Sequence, residues 1–203
     1  MLIDIVILPP QSFRKKFGKI GLALKGRMPL FYAVNNKELI PHLSLFHLRT
    51  NKVKKVSDTL VSVAASFKSL KISPTKFDLH NISGEYLIGG LGAKVTKDMQ
   101  FLHEAIVKSL YKLKSGPAFK AQKYYNSKQE YYRTKFGGNP NMFEFYSPHF
   151  TLARLKILDV EQRRRLEKML KVKFLSFQAR EIILAQTDGN HQIVKILKKF
   201  KLG

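Results

Sequence analysis

Pro41-His42-Leu43-Ser44-Leu45 and Pro148-His149-Phe150-Thr151-Leu152 are one pentapeptide written twice. In a strand, successive side chains alternate between faces. His42 and Ser44 therefore share one face, with Leu43 and Leu45 on the other. His149 and Thr151 oppose Phe150 and Leu152 in the same way. With 8 Pro and 6 His among 203 residues, random placement gives only about 0.24 Pro-His dipeptides. A single copy fits a buried strand with a hydrogen-bonded core histidine. A matched pair, each imidazole two residues before a hydroxyl, fits acid/base chemistry on a phosphate.

The flanks of the two copies repeat as well. Beyond the first motif strand, 42–48, apolar residues from Val53 to Leu70 recur at helical spacing and predict a helix over 53–70. Strands over 76–80 and 85–91 follow, around a turn at Asn81–Gly84. Beyond the second motif strand, 149–155, a helix over 159–170 starts at the cap Asp159. Strands over 174–185 and 192–197 are joined by the turn Asp188-Gly189-Asn190. A further helix is predicted over 98–113, and a first strand over 2–8. Residues 11–39 show only short apolar pieces. The run Gly89-Gly90-Leu91-Gly92-Ala93-Lys94 lacks P-loop spacing and reads as a strand-to-helix turn. Residues 114–147 lack periodicity and form a candidate lid or substrate loop.

Each half thus offers a motif strand, a helix and paired strands. This predicts an α+β fold, bilobal with a pseudo-two-fold axis, in which two antiparallel sheets flanked by helices surround a central cleft. The chain, 1–203, reads as a single two-lobed domain.

Composition narrows the chemistry. The absence of Cys removes disulfides, thiolate metal sites and cysteine nucleophiles. The start, Met1-Leu2-Ile3-Asp4-Ile5-Val6-Ile7-Leu8, carries an acid among its aliphatics and no basic leader, so it reads as a strand rather than a signal peptide. No apolar run approaches a membrane span, and a cytoplasmic location without membrane association is expected. A formal charge of +23 favours polyanionic partners such as RNA. A monomer is expected.

The tetrads His42-Leu43-Ser44-Leu45 and His149-Phe150-Thr151-Leu152 resemble the signature of the 2H phosphoesterase superfamily, which includes 2′-5′ RNA ligase-like proteins and cyclic nucleotide phosphodiesterases. The surroundings of the second copy, Phe145-Tyr146-Ser147-Pro148 and Ala153-Arg154, share that likeness. The resemblance implies a bilobal fold, a metal-independent cleft with no cofactor, and an RNA or nucleotide substrate. It implies hydrolysis of 2′,3′-cyclic phosphate ends or 2′-5′ linkages, with reverse 2′-5′ ligation by the same residues.

Chemistry of the residues agrees with that implication. An imidazole with an ordinary pKa near 6.5 serves as acid or base at neutral pH, so His42 and His149 are the catalytic candidates. Ser44 and Thr151 are candidates for donating hydrogen bonds to phosphate oxygens. Which histidine is the acid is left open by the sequence. Arg154 and His47 stand five residues after their motif histidines, an odd offset that points away from the cleft in a regular strand. Arg154 is kept as a candidate phosphate contact, and Arg27, Tyr32 and Tyr132 as candidate substrate contacts. His80, His103 and His191 read as structural or solvated. Lysines and tyrosines alternate over 120–136, which suits either stacking on unpaired bases or packing against the lobe. Two other functions stand beside the leading one: cyclic phosphodiesterase action on a small nucleotide such as ADP-ribose cyclic phosphate, and a non-catalytic RNA-binding module.

Overall fold

The two motif strands touch at one residue pair, Leu43 opposite Phe150, and diverge from it. The computed structural model describes residues 1–82 and 86–203, with side chains described outside 81–86. Of the turn expected at Asn81–Gly84, Asn81 and Ile82 end a strand and the remainder lies outside the described residues.

The chain begins β1 (Leu2–Ile7), α1 (Gln11–Lys25), β2 (Leu30–Ala33) and β3 (Leu43–Arg49). It continues through α2 (Val53–Ala65), β4 (Leu70–Ile72), β5 (Pro74–Ile82), β6 (Tyr86–Ala93) and α3 (Lys97–Leu110). After an irregular stretch come α4 (Ser127–Phe136), β7 (His149–Leu155) and α5 (Val160–Met169). The chain ends with β8 (Phe177–Ala179), β9 (Glu181–Thr187) and β10 (Ile193–Lys201). Among the described residues no helix is long and apolar enough to cross a membrane.

Strand order is β10-β9-β1-β3-β7-β6-β5, with β2 also paired to β7. The Leu43–Phe150 pair divides these strands into two four-stranded antiparallel halves, β10-β9-β1-β3 and β2-β7-β6-β5. Three strands on each side of that pair mirror one another: β3 answers β7, β1 answers β6 and β9 answers β5, while β10 and β2 have no counterpart. The short strands β4 and β8, which follow equivalent helices, pair with each other. The predicted pseudo-two-fold is therefore present, with one correction. The lobes are not the two halves of the sequence. Strands β5 and β6, which follow the first motif, join the second motif's sheet, and β9 and β10 join the first motif's sheet. Local periodicity predicts a strand but not the edge on which it docks.

The opposite faces of the motif strands build the core. Leu43, Leu45, Phe150 and Leu152 are all buried. Phe150 packs at ring-centroid distances of 4.9 and 6.4 Å against Phe13 and Phe17, one turn apart on α1. A fully buried aromatic of this kind contributes roughly 1.5–3 kcal/mol.

Helix α1 replaces the short pieces read over 11–39. Its glycines lower helix propensity, and the packing explains them. A Cβ on Gly21 would lie 1.8 Å from the Val34 carbonyl oxygen, and one on Gly18 2.8 Å from that of Asn35. Helix α2 stops at Ala65, which frees Leu70 to open β4. Helix α5 begins at Asp159 as expected, with a capping box to Gln162. Segment 114–147 contains α4, a helix with no buried residue that is fixed at its ends by an Asn126–Gln129 capping box and by Gly137 in the left-handed conformation. The Gly89–Lys94 run is not a turn, because Gly89 to Ala93 belong to β6.

Candidate active site

Each motif strand carries a β-bulge at the fourth residue of its tetrad. Across β1 and β3 the register steps from Ile5–Phe46 to Val6–Ser44 and skips Leu45. Across β6 and β7 it steps from Gly89–Ala153 to Gly90–Thr151 and skips Leu152. A bulge inserts one residue and reverses the facing of everything beyond it. His47 and Arg154, assigned to the outer face by simple parity, are thereby returned to the side of the motif histidines. Their demotion in the sequence reading is corrected.

The two catalytic candidates are held alike. His42 Nδ1 lies 2.8 Å from the Ile40 carbonyl oxygen, and His149 Nδ1 lies 2.9 Å from that of Ser147. A carbonyl only accepts, so Nδ1 carries the proton in both rings and Nε2 is the nitrogen left for chemistry. Burial lowers the pKa of both imidazoles, and the neighbouring His149 lowers that of His42 further. Gly90 lets the His149 ring lie against β6, since a Cβ there would sit 3.3 Å from His149 Cδ2.

The hydroxyls differ. The Thr151 hydroxyl makes no hydrogen bond among the described residues, and the side chain is half-buried. The Ser44 hydroxyl donates to Asp4 Oδ2 at 2.6 Å. Asp4 is fully buried, and the same oxygen lies 3.1 Å from His47 Nε2 and 4.0 Å from His42 Nε2. Burial pushes the Asp4 carboxyl up to about 8 and holds His47 well below its ordinary value. Sequence reasoning missed Asp4 as a site residue. Its signal was the single acid in an otherwise aliphatic strand, read only as evidence against a leader peptide.

The β9–β10 turn closes one side. Asp188 Oδ1 accepts from the backbone N–H groups of Asn190 and Gln192, each at 2.8 Å, and His191 adopts φ 60° between them. His191 stacks on Phe119 at 3.9 Å and meets the His47 ring at 4.8 Å. It is thus a site neighbour rather than a solvated turn residue, and burial takes its pKa down to about 4. Asn190 accepts from Arg154 at 3.4 Å, and Gln192 donates to the Tyr32 hydroxyl at 3.2 Å. Arg154 and Tyr32 are cross-strand partners, so both reach this rim. On the other side His80 lies 6.4 Å from His149 and, with Lys76 and Asp78, lines a cavity of about 190 Å³.

Two candidates are not brought in. Arg27 is exposed in the turn after α1, and its side chain has no hydrogen bond or ion pair among the described residues. Tyr132 donates to Glu144 at 3.0 Å and packs against Phe143 and Phe136, a role in fixing α4. His103 is structural as expected. It is buried, stacked on Tyr146 at 4.0 Å, and bonded to the Leu45 carbonyl and the Phe143 N–H. Among the described residues no three His, Asp or Glu side chains are arranged to hold a metal ion.

No family model and no curated protein matches the chain by sequence. Solved structures do match. TT0787 of Thermus thermophilus aligns with a TM-score of 0.57 at 16% identity, over 100% of this chain and 98% of that one. LigT of E. coli in apo form aligns with a TM-score of 0.51 at 13% identity, over 99% and 96% of the two chains. LigT complexed with phosphate gives 0.52 at 13% identity, over 98% and 96%. The chain shares the α+β fold of these structures. In this chain the duplicated strands hold both histidines through like backbone anchors, and the bulges bring a third position of each strand to the face of its motif histidine.

Proposed function

We propose that the protein is a phosphodiesterase that opens 2′,3′-cyclic phosphate ends or cleaves 2′-5′ linkages of RNA by paired-histidine acid/base catalysis. The observation that carries the reading is the shared anchoring of His42 and His149, each with Nδ1–H on a carbonyl two residues earlier, so that Nε2 is in both rings the nitrogen turned away from the anchor. One Nε2 takes a proton from water as its oxygen attacks phosphorus. The other, protonated, delivers its proton to the ribose oxygen as the P–O bond breaks. Thr151 donates to a non-bridging oxygen, where charge accumulates in the transition state. Reverse ligation runs through the same two groups by microscopic reversibility.

The net charge of +23 favours RNA over a small nucleotide as substrate. LigT, which shares the fold, has been crystallised with phosphate and with 3′-AMP, ligands of the expected chemical class. A cytoplasmic, monomeric enzyme is part of the proposal. The deciding experiment incubates the protein, in EDTA, with RNA ending in a 2′,3′-cyclic phosphate and with 2′-5′-linked oligonucleotides. Turnover is expected for the wild type and its loss in His42→Ala and in His149→Ala. Wild-type rates in either variant overturn the mechanism, and binding without turnover across the substrates supports a binding module instead.

A further inference from the structure

We infer that Asp4 is a positioning residue, kept as the neutral acid, that turns the Ser44 hydroxyl proton toward the phosphate; the inference rests on the phosphodiesterase reading. A Ser44 hydroxyl that donates to a carboxylate has no proton left for a phosphate oxygen, which only accepts. The donor in a 2.6 Å contact between two oxygens is set by where the protons are, and a protonated carboxyl reverses it. One set of protons then serves Asp4 Oδ2, His47 Nε2 and Ser44 Oγ together, while Asp4 Oδ1 is buried without a hydrogen-bond partner. His47 Nε2–H donates to Asp4 Oδ2 across 3.1 Å, the carboxyl O–H donates to Ser44 Oγ across 2.6 Å, and Ser44 O–H is released to the cleft. Burying a carboxylic acid so that it stays neutral and donates is a known means of aiming a proton.

The surroundings of Asp4 suit a neutral acid. Its side chain is fully buried. From β3 and the residue before it Asp4 faces His47 and His42, and from the segment before β7 it faces Tyr146, whose hydroxyl donates to the Ser44 carbonyl at 3.1 Å. From β9 its cross-strand partner is Ala185, which carries no charge. Neither histidine arrives as a resident cation, because burial lowers the pKa of both, and the carboxyl itself is pushed up to about 8. The device exists in one lobe only. The pseudo-symmetric counterparts of Asp4 and His47 are Ile88 and Arg154, cross-strand partners on β6 and β7. There the Thr151 hydroxyl needs no such control, since nothing competes for its proton among the described residues.

The test is the pH dependence of kcat on RNA ending in a 2′,3′-cyclic phosphate for wild type, Asp4→Asn, Asp4→Ala, Ser44→Ala and Asp4→Ala/Ser44→Ala. The Asn amide donates to Ser44 as the neutral acid does, but cannot ionise. Asp4→Asn should stay within about threefold of wild type at pH 7. The ratio of Asp4→Asn to wild type should then rise to about tenfold at pH 9, as a wild-type acid titrating near 8 ionises. Ser44→Ala should lose about 10²-fold, the typical effect of one transition-state donor, and adding Asp4→Ala should lose little more. A ratio that stays flat with pH, or a double variant whose losses multiply, overturns the role of Asp4. Absence of turnover in the wild type overturns the phosphodiesterase reading instead, so the two failures are distinct.

Discussion

Replacing Gly90 by Ala places a methyl group 3.3 Å from His149 Cδ2 and 3.3 Å from the Phe150 carbonyl oxygen. Ordinary carbon contacts lie nearer 3.5–4.0 Å, so one neighbour has to retreat by a few tenths of an ångström. The carbonyl is fixed within the β6–β7 pairing, whereas the imidazole swings about its side-chain bonds. The ring therefore moves, and with it the Nε2 that must reach the reacting atoms. Misplacement by 1 Å costs about 10²-fold in rate; a shift of a few tenths should lower kcat by about tenfold with KM little changed. Stability should hardly move, because a mild clash is offset by the roughly 0.4–1 kcal/mol gained from restricting the unfolded chain. Gly89 is the control. Its Cβ would meet first the ends of the Leu155 and Leu79 side chains, at 3.4 Å, and then the Ala153 carbonyl oxygen at 3.9 Å. Steady-state turnover of cyclic-phosphate RNA and thermal melting of Gly90→Ala and Gly89→Ala provide the readout. A Gly90→Ala enzyme with wild-type kcat, or a Gly89→Ala enzyme equally impaired, refutes the view that Gly90 is there to seat His149.

Two further outcomes are expected. Burial lowers the pKa of His42, His47, His103, His149 and His191, taking His103 and His191 to about 4. A histidine depressed in the folded state contributes stability that is present above its unfolded pKa near 6.5 and lost as pH falls through the folded value. Asp4, with a raised pKa, works with the opposite sign between pH 4 and 8 but is one group against five. Urea midpoints should therefore fall steeply between pH 6.5 and 4.5, by several kcal/mol in total; a flat profile contradicts the buried, neutral histidine cluster. On α4, Lys128, Tyr131 and Lys135 are exposed at helical spacing, a basic and aromatic face suited to single-stranded RNA. Replacing all three by Ser should raise KM several-fold for a long cyclic-phosphate RNA and leave a dinucleotide cyclic phosphate unaffected, and equal effects on both substrates would remove this face from substrate binding.

The faces of the motif strands were legible because alternation is a local property. Leu43, Leu45, Phe150 and Leu152 are buried, as the pentapeptides imply. The bulges were not legible, since Leu45 and Leu152 look like ordinary apolar strand residues and only the partner strands reveal that they are skipped. That one missing fact misplaced His47 and Arg154. Helix α1 was hidden by Gly18 and Gly21, whose reason lies in the backbone of residues 34 and 35 rather than in the helix. Helix α4 has little amphipathic signal because its stability comes from its caps. The exchange of strand pairs between lobes is a long-range choice that no local pattern records. Asp4 was visible as an anomaly, and its partners, forty and more residues away, were not.

Duplication explains what the two lobes share, so the division of labour has to come from what they do not. The His42 and His149 anchors, the bulges and the position of the hydroxyls obey the pseudo-two-fold. A symmetric pair of imidazoles has no reason for one to be the acid and the other the base. Asymmetry enters through the residues beside them: Asp4 and His47 on the first lobe, Ile88, Arg154 and His80 on the second. His149 lowers the pKa of His42, and His80 lowers that of His149, so each imidazole has a different neighbour beside it. The asymmetry lies in strand-interior residues of β1, β5 and β6, which the tetrads themselves do not contain.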